Sequence, residues 1–122
     1  MVAAGVSDEI LVQLSYAIGV AKPISIYVNT FGKSRLKISD SEISKVVNEI
    51  FDFTPYGIEK RLKLRNPIYS ETSSYGHMGR KPKKVIKEFI SPYNGLISKQ
   101  VELFTWEKLD YKNKIKNAFK IK

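Results

Sequence analysis

Residues 39–51 admit little besides an amphipathic helix. Ser39-Asp40-Ser41-Glu42 is a capping box: the Ser39 hydroxyl accepts from the amide three residues on, while Glu42 reaches back to the cap. Ile43, Val46, Val47, Ile50 and Phe51 then recur at i, i+3, i+4, i+7 and i+8, one apolar stripe. A stripe of that width must be buried, and the preceding residues offer a sheet to bury it on. Over residues 10–18, Ile10, Val12, Leu14, Tyr16 and Ile18 alternate with Leu11, Gln13, Ser15 and Ala17, the period of a strand with one face more buried than the other. Residues 19–23 make a short connection. Ile24, Ile26 and Val28 then alternate with Ser25, Tyr27 and Asn29. Two strands joined so briefly pair antiparallel.

The remaining elements are read in the same way. Residues 1–5, Met-Val-Ala-Ala-Gly, look like the last turn of a helix closed by a C′ glycine, as if the chain began inside a longer or split protein. Thr54 followed by Pro55 starts a second helix, with Ile58 and Leu62 one turn apart on its inner side. Residues 65–82 carry Pro67, Gly76, Gly79 and Pro82 and read as a long ordered loop. Residues 85–90 and 96–103 flank Ser-Pro-Tyr-Asn-Gly and predict a protruding hairpin. A last helix over 110–119 places Tyr111, Ile115 and Phe119 on one side. The expected fold class is α+β: one curved, mostly antiparallel sheet covered by helices on one face.

Chemistry is sparse. The 122 residues include no cysteine, which excludes disulfides and thiolate metal sites. His77 is the only histidine, so no histidine-based metal cluster can form; it is read as a general base or as a residue held in a Gly-rich loop. Tyr75-Gly76-His77-Met78-Gly79-Arg80-Lys81 has glycines and cations but is not placed like a P-loop, and reads as a tight turn. Asp8, Glu9, Asp40, Glu42, Glu49, Asp52, Glu71 and Glu88 are scattered, with no spacing that argues for a Mg²⁺ site. No apolar run approaches the roughly 20 residues that cross a bilayer. The chain is read as cytoplasmic. The formal charge of +9 is uneven: residues 1–58 are net −1 and residues 59–122 net +10. That excess marks either a solvated lysine-rich face or a surface for anionic partners.

Several segments, taken in order, resemble the S-adenosylmethionine synthetase family. They are Val-Ala-Ala-Gly at 2–5, Gln-Leu-Ser-Tyr-Ala-Ile-Gly-Val at 13–20, Pro-Ile-Ser-Ile at 23–26, Phe-Asp-Phe-Thr-Pro-Tyr-Gly-Ile at 51–58, Pro-Ile-Tyr at 67–69, Tyr-Gly-His-Met-Gly-Arg at 75–80 and Phe-Thr-Trp-Glu at 104–107. The resemblance covers nearly the whole chain and corresponds to the C-terminal part of the family. Met78 stands where members usually have Phe, Ser73 and Ser74 where they have alanines, and residues 81–103 look like an insertion present in some members.

The resemblance implies a fold of three similar α+β subdomains, of which this segment would form most of one. It implies an enzyme that makes S-adenosylmethionine from ATP and methionine: the methionine sulfur displaces triphosphate from C5′ of ATP, and the triphosphate is hydrolysed to phosphate and diphosphate. Mg²⁺ and K⁺ are required, and the complete enzyme is a homo-oligomer, dimer or tetramer. The family's catalytic and metal-binding residues lie upstream of the matching segment, so none is expected here and the segment alone is expected to be inactive. One binding position maps onto this chain: Ile18, the isoleucine of Ser-Tyr-Ala-Ile-Gly-Val, which would line the methionine pocket unless it simply continues the buried side of its strand. Two other readings stand beside this one, a non-catalytic regulatory or structural subunit of a synthetase and a basic nucleic-acid-binding module.

Overall fold

A computed structural model describes residues 1–122. The order of elements is β1 (Leu11–Ser15), β2 (Ser25–Asn29), α1 (Asp40–Ile50), α2 (Pro55–Leu62), α3 (Tyr69–Thr72), β3 (Lys83–Ser91), β4 (Gly95–Leu103) and α4 (Lys112–Ala118), with 3₁₀ turns at Val2–Ala4 and Thr105–Glu107. The chain is α+β and its strands are antiparallel, but they form two separate two-stranded sheets, β1–β2 and β3–β4. It divides into two compact units, residues 1–58 with 109–122, and residues 59–108. The division falls within α2.

In the first unit the capping box forms as read. Ser39 accepts from the Glu42 amide at 3.2 Å, and Glu42 accepts from the Ser39 amide at 2.7 Å. The register sets Val12 opposite Val28 and Leu14 opposite Ile26 on one face of the sheet. Val28, Ile43, Val47, Ile50 and Ile115 are buried together with Ala4 and Val6. Each of the valine and isoleucine side chains contributes about 1.5–3 kcal/mol on burial. Polar contacts fasten α1 to β2. Asp40 accepts from the Thr30 amide and hydroxyl at 3.1 and 2.6 Å, and the Ser44 hydroxyl donates to the Ile26 carbonyl at 2.8 Å. Tyr111, at the start of α4, stacks on Phe51 with ring centroids 4.7 Å apart. The Lys114 ammonium caps the end of α1 at the Ile50 carbonyl, 3.0 Å away. The opening 3₁₀ turn closes on Gly5, whose φ of +85° lets its amide donate to the Val2 carbonyl.

The second unit has a smaller core: Ile68, Val101, Leu103 and Phe104, with Leu64, Val85 and Trp106 packed against it. Glu102 accepts from Lys108 at 2.9 Å and from Lys63 at 3.3 Å. At the hairpin tip the Ser91 hydroxyl accepts from the Tyr93 and Asn94 amides at 3.3 and 3.4 Å, and Gly95 takes the left-handed conformation that ends such a turn. Tyr93, Ile90 and Leu96 around the tip are exposed, as expected of a protruding hairpin.

Besides the hairpin strands, which begin at Lys83 and Gly95 rather than 85 and 96, the structure departs from the sequence reading at three places. β1 stops at Ser15, whose carbonyl accepts from Ile24, so residues 16–23 leave the ladder three residues earlier than the alternation predicts. The loop over 65–82 contains α3, nucleated by the buried Ile68, whose carbonyl accepts the Thr72 hydroxyl at 2.9 Å. The last helix is shorter than 110–119, spanning Lys112–Ala118.

Candidate functional site

The β1–β2 connection is built as a displayed turn. The Val20 amide donates to the Ala17 carbonyl at 3.1 Å, and Gly19 sits at φ +81°, leaving Ile18 at the tip. Its side chain is fully exposed, 106% of the reference value. It therefore does not continue the buried side of β1. Tyr16 anchors the base of the turn, its hydroxyl donating to the Phe53 carbonyl at 2.6 Å. Apolar side chains remain uncovered around it: Val20 and Ile24 are also exposed.

The Phe53 anchor leads to a second built feature. Asp52 accepts from the Thr54 amide at 3.0 Å and from its hydroxyl at 2.8 Å; the same hydroxyl accepts from the Gly57 amide at 3.0 Å, capping α2. The Thr54 amide bond, then the hydroxyl bond, holds the Asp52 carboxyl below its ordinary 3.8, with Lys22 adding a smaller charge effect. Gly57 is required for this close approach. A Cβ there would overlap the Asp52 carboxyl group, 2.8 Å from one oxygen and closer still to the other. Lys22, Pro23, Asn48 and residues 51–54 enclose a cavity of about 230 Å³ beside it; Ile18 is not among the lining residues. Composition alone hid this pairing, although a glycine at the third position of a predicted helix, where alanine is better tolerated, is a signal of close approach.

In the second unit the segment 75–80 is clamped rather than catalytic in geometry. The Trp106 indole donates to the His77 carbonyl at 2.7 Å, and the two rings meet edge to face at 6.3 Å. Glu107 accepts from the Gly79 amide. The Arg80 guanidinium lies 4.8 Å from the centre of the Phe104 ring and donates to the Ser74 and Gly76 carbonyls at 3.2 Å. The Tyr-Gly-His-Met-Gly-Arg and Phe-Thr-Trp-Glu segments, whose contacting residues lie 24 to 29 positions apart in sequence, are thus one structural feature, a tight turn held by its neighbours.

The acidic residues are engaged one by one. Asp8 pairs with Arg35, Glu9 with Lys33, Glu71 with Lys87; Asp40, Glu42 and Asp52 hold backbone amides. Glu88 lies on the outer face of the hairpin and Glu49 on the exposed side of α1. No three His, Asp or Glu side chains converge as metal ligands.

A family model for the C-terminal domain of S-adenosylmethionine synthetase matches residues 1–89. The chain belongs to the S-adenosylmethionine synthetase family. It is 66% identical over 119 residues to S-adenosylmethionine synthase of Phocaeicola vulgatus, covering 98% of this chain and 28% of that protein. It is 63% identical over 122 residues to the synthase of Cytophaga hutchinsonii, covering 100% of this chain and 29% of that protein. A solved S-adenosylmethionine synthetase from Campylobacter jejuni superimposes with a TM-score of 0.73 at 31% identity, over 97% of this chain and 26% of that one. The chain thus spans less than a third of the length of the synthetases it matches. No helix is long and apolar enough to cross a membrane.

Proposed function

We propose that this chain serves as the C-terminal part of an S-adenosylmethionine synthetase, presenting Ile18 to the methionine pocket and leaving the chemistry to other parts of the enzyme. The complete enzyme, on this reading a cytoplasmic homo-oligomer, joins the methionine sulfur to C5′ of ATP and expels triphosphate, which water cleaves to phosphate and diphosphate. The carrying observation is the 17–20 turn, which leaves Ile18 free to contact a ligand instead of filling its own core. A bare isoleucine suits the apolar flank of a methionine side chain. The donor set does not fit Mg²⁺ bound to a triphosphate, because no three carboxylate or imidazole side chains converge on one point. Those metals belong with residues elsewhere in the synthetase, and the chain alone turns over no substrate. Residues 81–103 are an elaboration on this scaffold: the family model's match ends at residue 89, within β3, whereas the Cytophaga hutchinsonii synthase matches over all 122 residues.

The test is reconstitution. The chain is mixed with the complementary upstream part of the Phocaeicola vulgatus synthase and assayed for S-adenosylmethionine. Activity is expected from the mixture and from neither piece. In the mixture Ile18→Asp raises the methionine KM at least tenfold, through an unpaired carboxylate set against an apolar ligand. Unchanged KM and kcat would reject the pocket assignment. Turnover by the chain alone would overturn the division of labour, and saturable change in an intact synthetase's activity would indicate a regulatory subunit instead.

A further inference from the structure

The hairpin offers an unpaired edge whose charges are self-complementary. β3 is hydrogen-bonded to β4 on one side, and no other strand pairs with it. Unpaired strand edges are templates for a further strand. On its outward face β3 carries Lys84, Ile86, Glu88 and Ile90 at alternate positions, all exposed. Neither Lys84 nor Glu88 has an ion-pair partner in its own chain, whereas Lys87, on the opposite face, is paired with Glu71.

We propose that two copies of this chain join edge to edge through β3, antiparallel about a two-fold axis at Ile86, giving a four-stranded sheet. The axis is perpendicular to the sheet, so facing residues must be of the same parity, and one residue must face its own copy. Among registers centred on residues 84 to 88, charge eliminates all but one. Centres at Lys84, Lys87 and Glu88 oppose a charge to itself, and a centre at Val85 opposes Lys83 to Lys87. Centred on Ile86, Lys84 faces Glu88 of the second copy twice over, Ile86 faces Ile86, and on the other face Lys83 meets Phe89 and Val85 meets the stem of Lys87. Opposite charges set directly across a sheet are stabilising and like charges the reverse. β4 offers no equivalent, since Lys99 and Glu102 lie on opposite faces and no such register brings them together. The inference does not depend on the synthetase reading.

Two measurements on the 122-residue chain decide it. Sedimentation velocity over a concentration series should show a reversible dimer. Lys84→Glu, which puts like charges at both outer pairs, should weaken it about tenfold or more, and adding Glu88→Lys should restore it. The protein has no cysteine, so Ile86→Cys should give a disulfide-linked dimer under mild oxidation, while Lys87→Cys, which faces Val85, should not. A chain monomeric throughout the series would overturn the proposal. So would a dimer indifferent to the single charge reversal, one not recovered in the double variant, or equal cross-linking at 86 and 87.

Discussion

At the scale of single residues, the most demanding position is Gly57. The motif Phe-Asp-Phe-Thr-Pro-Tyr-Gly-Ile is a mutual accommodation: Asp52 holds Thr54, Thr54 caps α2 through the Gly57 amide, and Gly57 leaves room for the Asp52 carboxylate. Gly57→Ala should therefore destabilise the chain despite alanine's better helix propensity, by about 1–3 kcal/mol, as overpacking does. The check is a double-mutant cycle in urea. Asp52→Ala removes both the cap support and the obstacle, so the cost of Gly57→Ala should shrink by more than about 0.5 kcal/mol in its presence. An additive pair would mean the backbone moves aside and the contact is unimportant. Ile18 is the opposite case. Its alternation with Ile10 to Tyr16 predicts a buried strand residue, yet one glycine with positive φ turns it out into solvent.

At the scale of elements, α1 carries a testable pH dependence. Glu42 sits below its ordinary 4.5, chiefly because the Ser39 amide donates to it and then because the Ser39 hydroxyl does. A lowered folded-state value means that the bond's contribution is complete above about pH 4.5 and lost as pH falls through the lower folded-state value. Glu42→Gln keeps a side chain able to complete the capping box but removes the charge. The melting temperature of the variant should lie below that of the parent at pH 6 and converge with it in acid; a gap that stays constant down to pH 2.5 would refute this cause. Elements whose signals are local were legible in the sequence. The capping box, the Thr-Pro helix start, the antiparallel β1–β2 pair and the Ser91-to-Gly95 hairpin turn need only neighbours in sequence. α3 was not legible, because its four residues are held by the burial of Ile68 against Val101, Leu103 and Phe104, contacts that no local pattern announces. The clamp of Arg80, Trp106 and Glu107 on residues 74–79 was hidden for the same reason, although both segments had been singled out by their resemblance to the family.

At the scale of the whole molecule, two cores of unequal size share one chain. Seven buried residues form the first, drawn from the 3₁₀ turn, the Val6 connection after it, β2, α1 and α4, and four form the second. Smaller cores bury a smaller fraction of their surface and are less stable. The hairpin extends beyond its core: only Val101 and Leu103 among the residues of β3 and β4 are buried, and Ile86, Ile90 and Leu96 remain largely exposed. Opening of residues 59–108 should therefore precede opening of α1 and β2, and native-state hydrogen exchange resolves the order. Amides of β3 and β4 should exchange sooner than those of residues 43–50. Leu103→Ala sharpens the test. Removing a fully buried leucine costs about 2–5 kcal/mol, and if the cores are separate units the loss of protection should be confined to residues 59–108. Equal loss in α1 would show instead that the two cores unfold as one, with α2, which runs through the division, transmitting the strain.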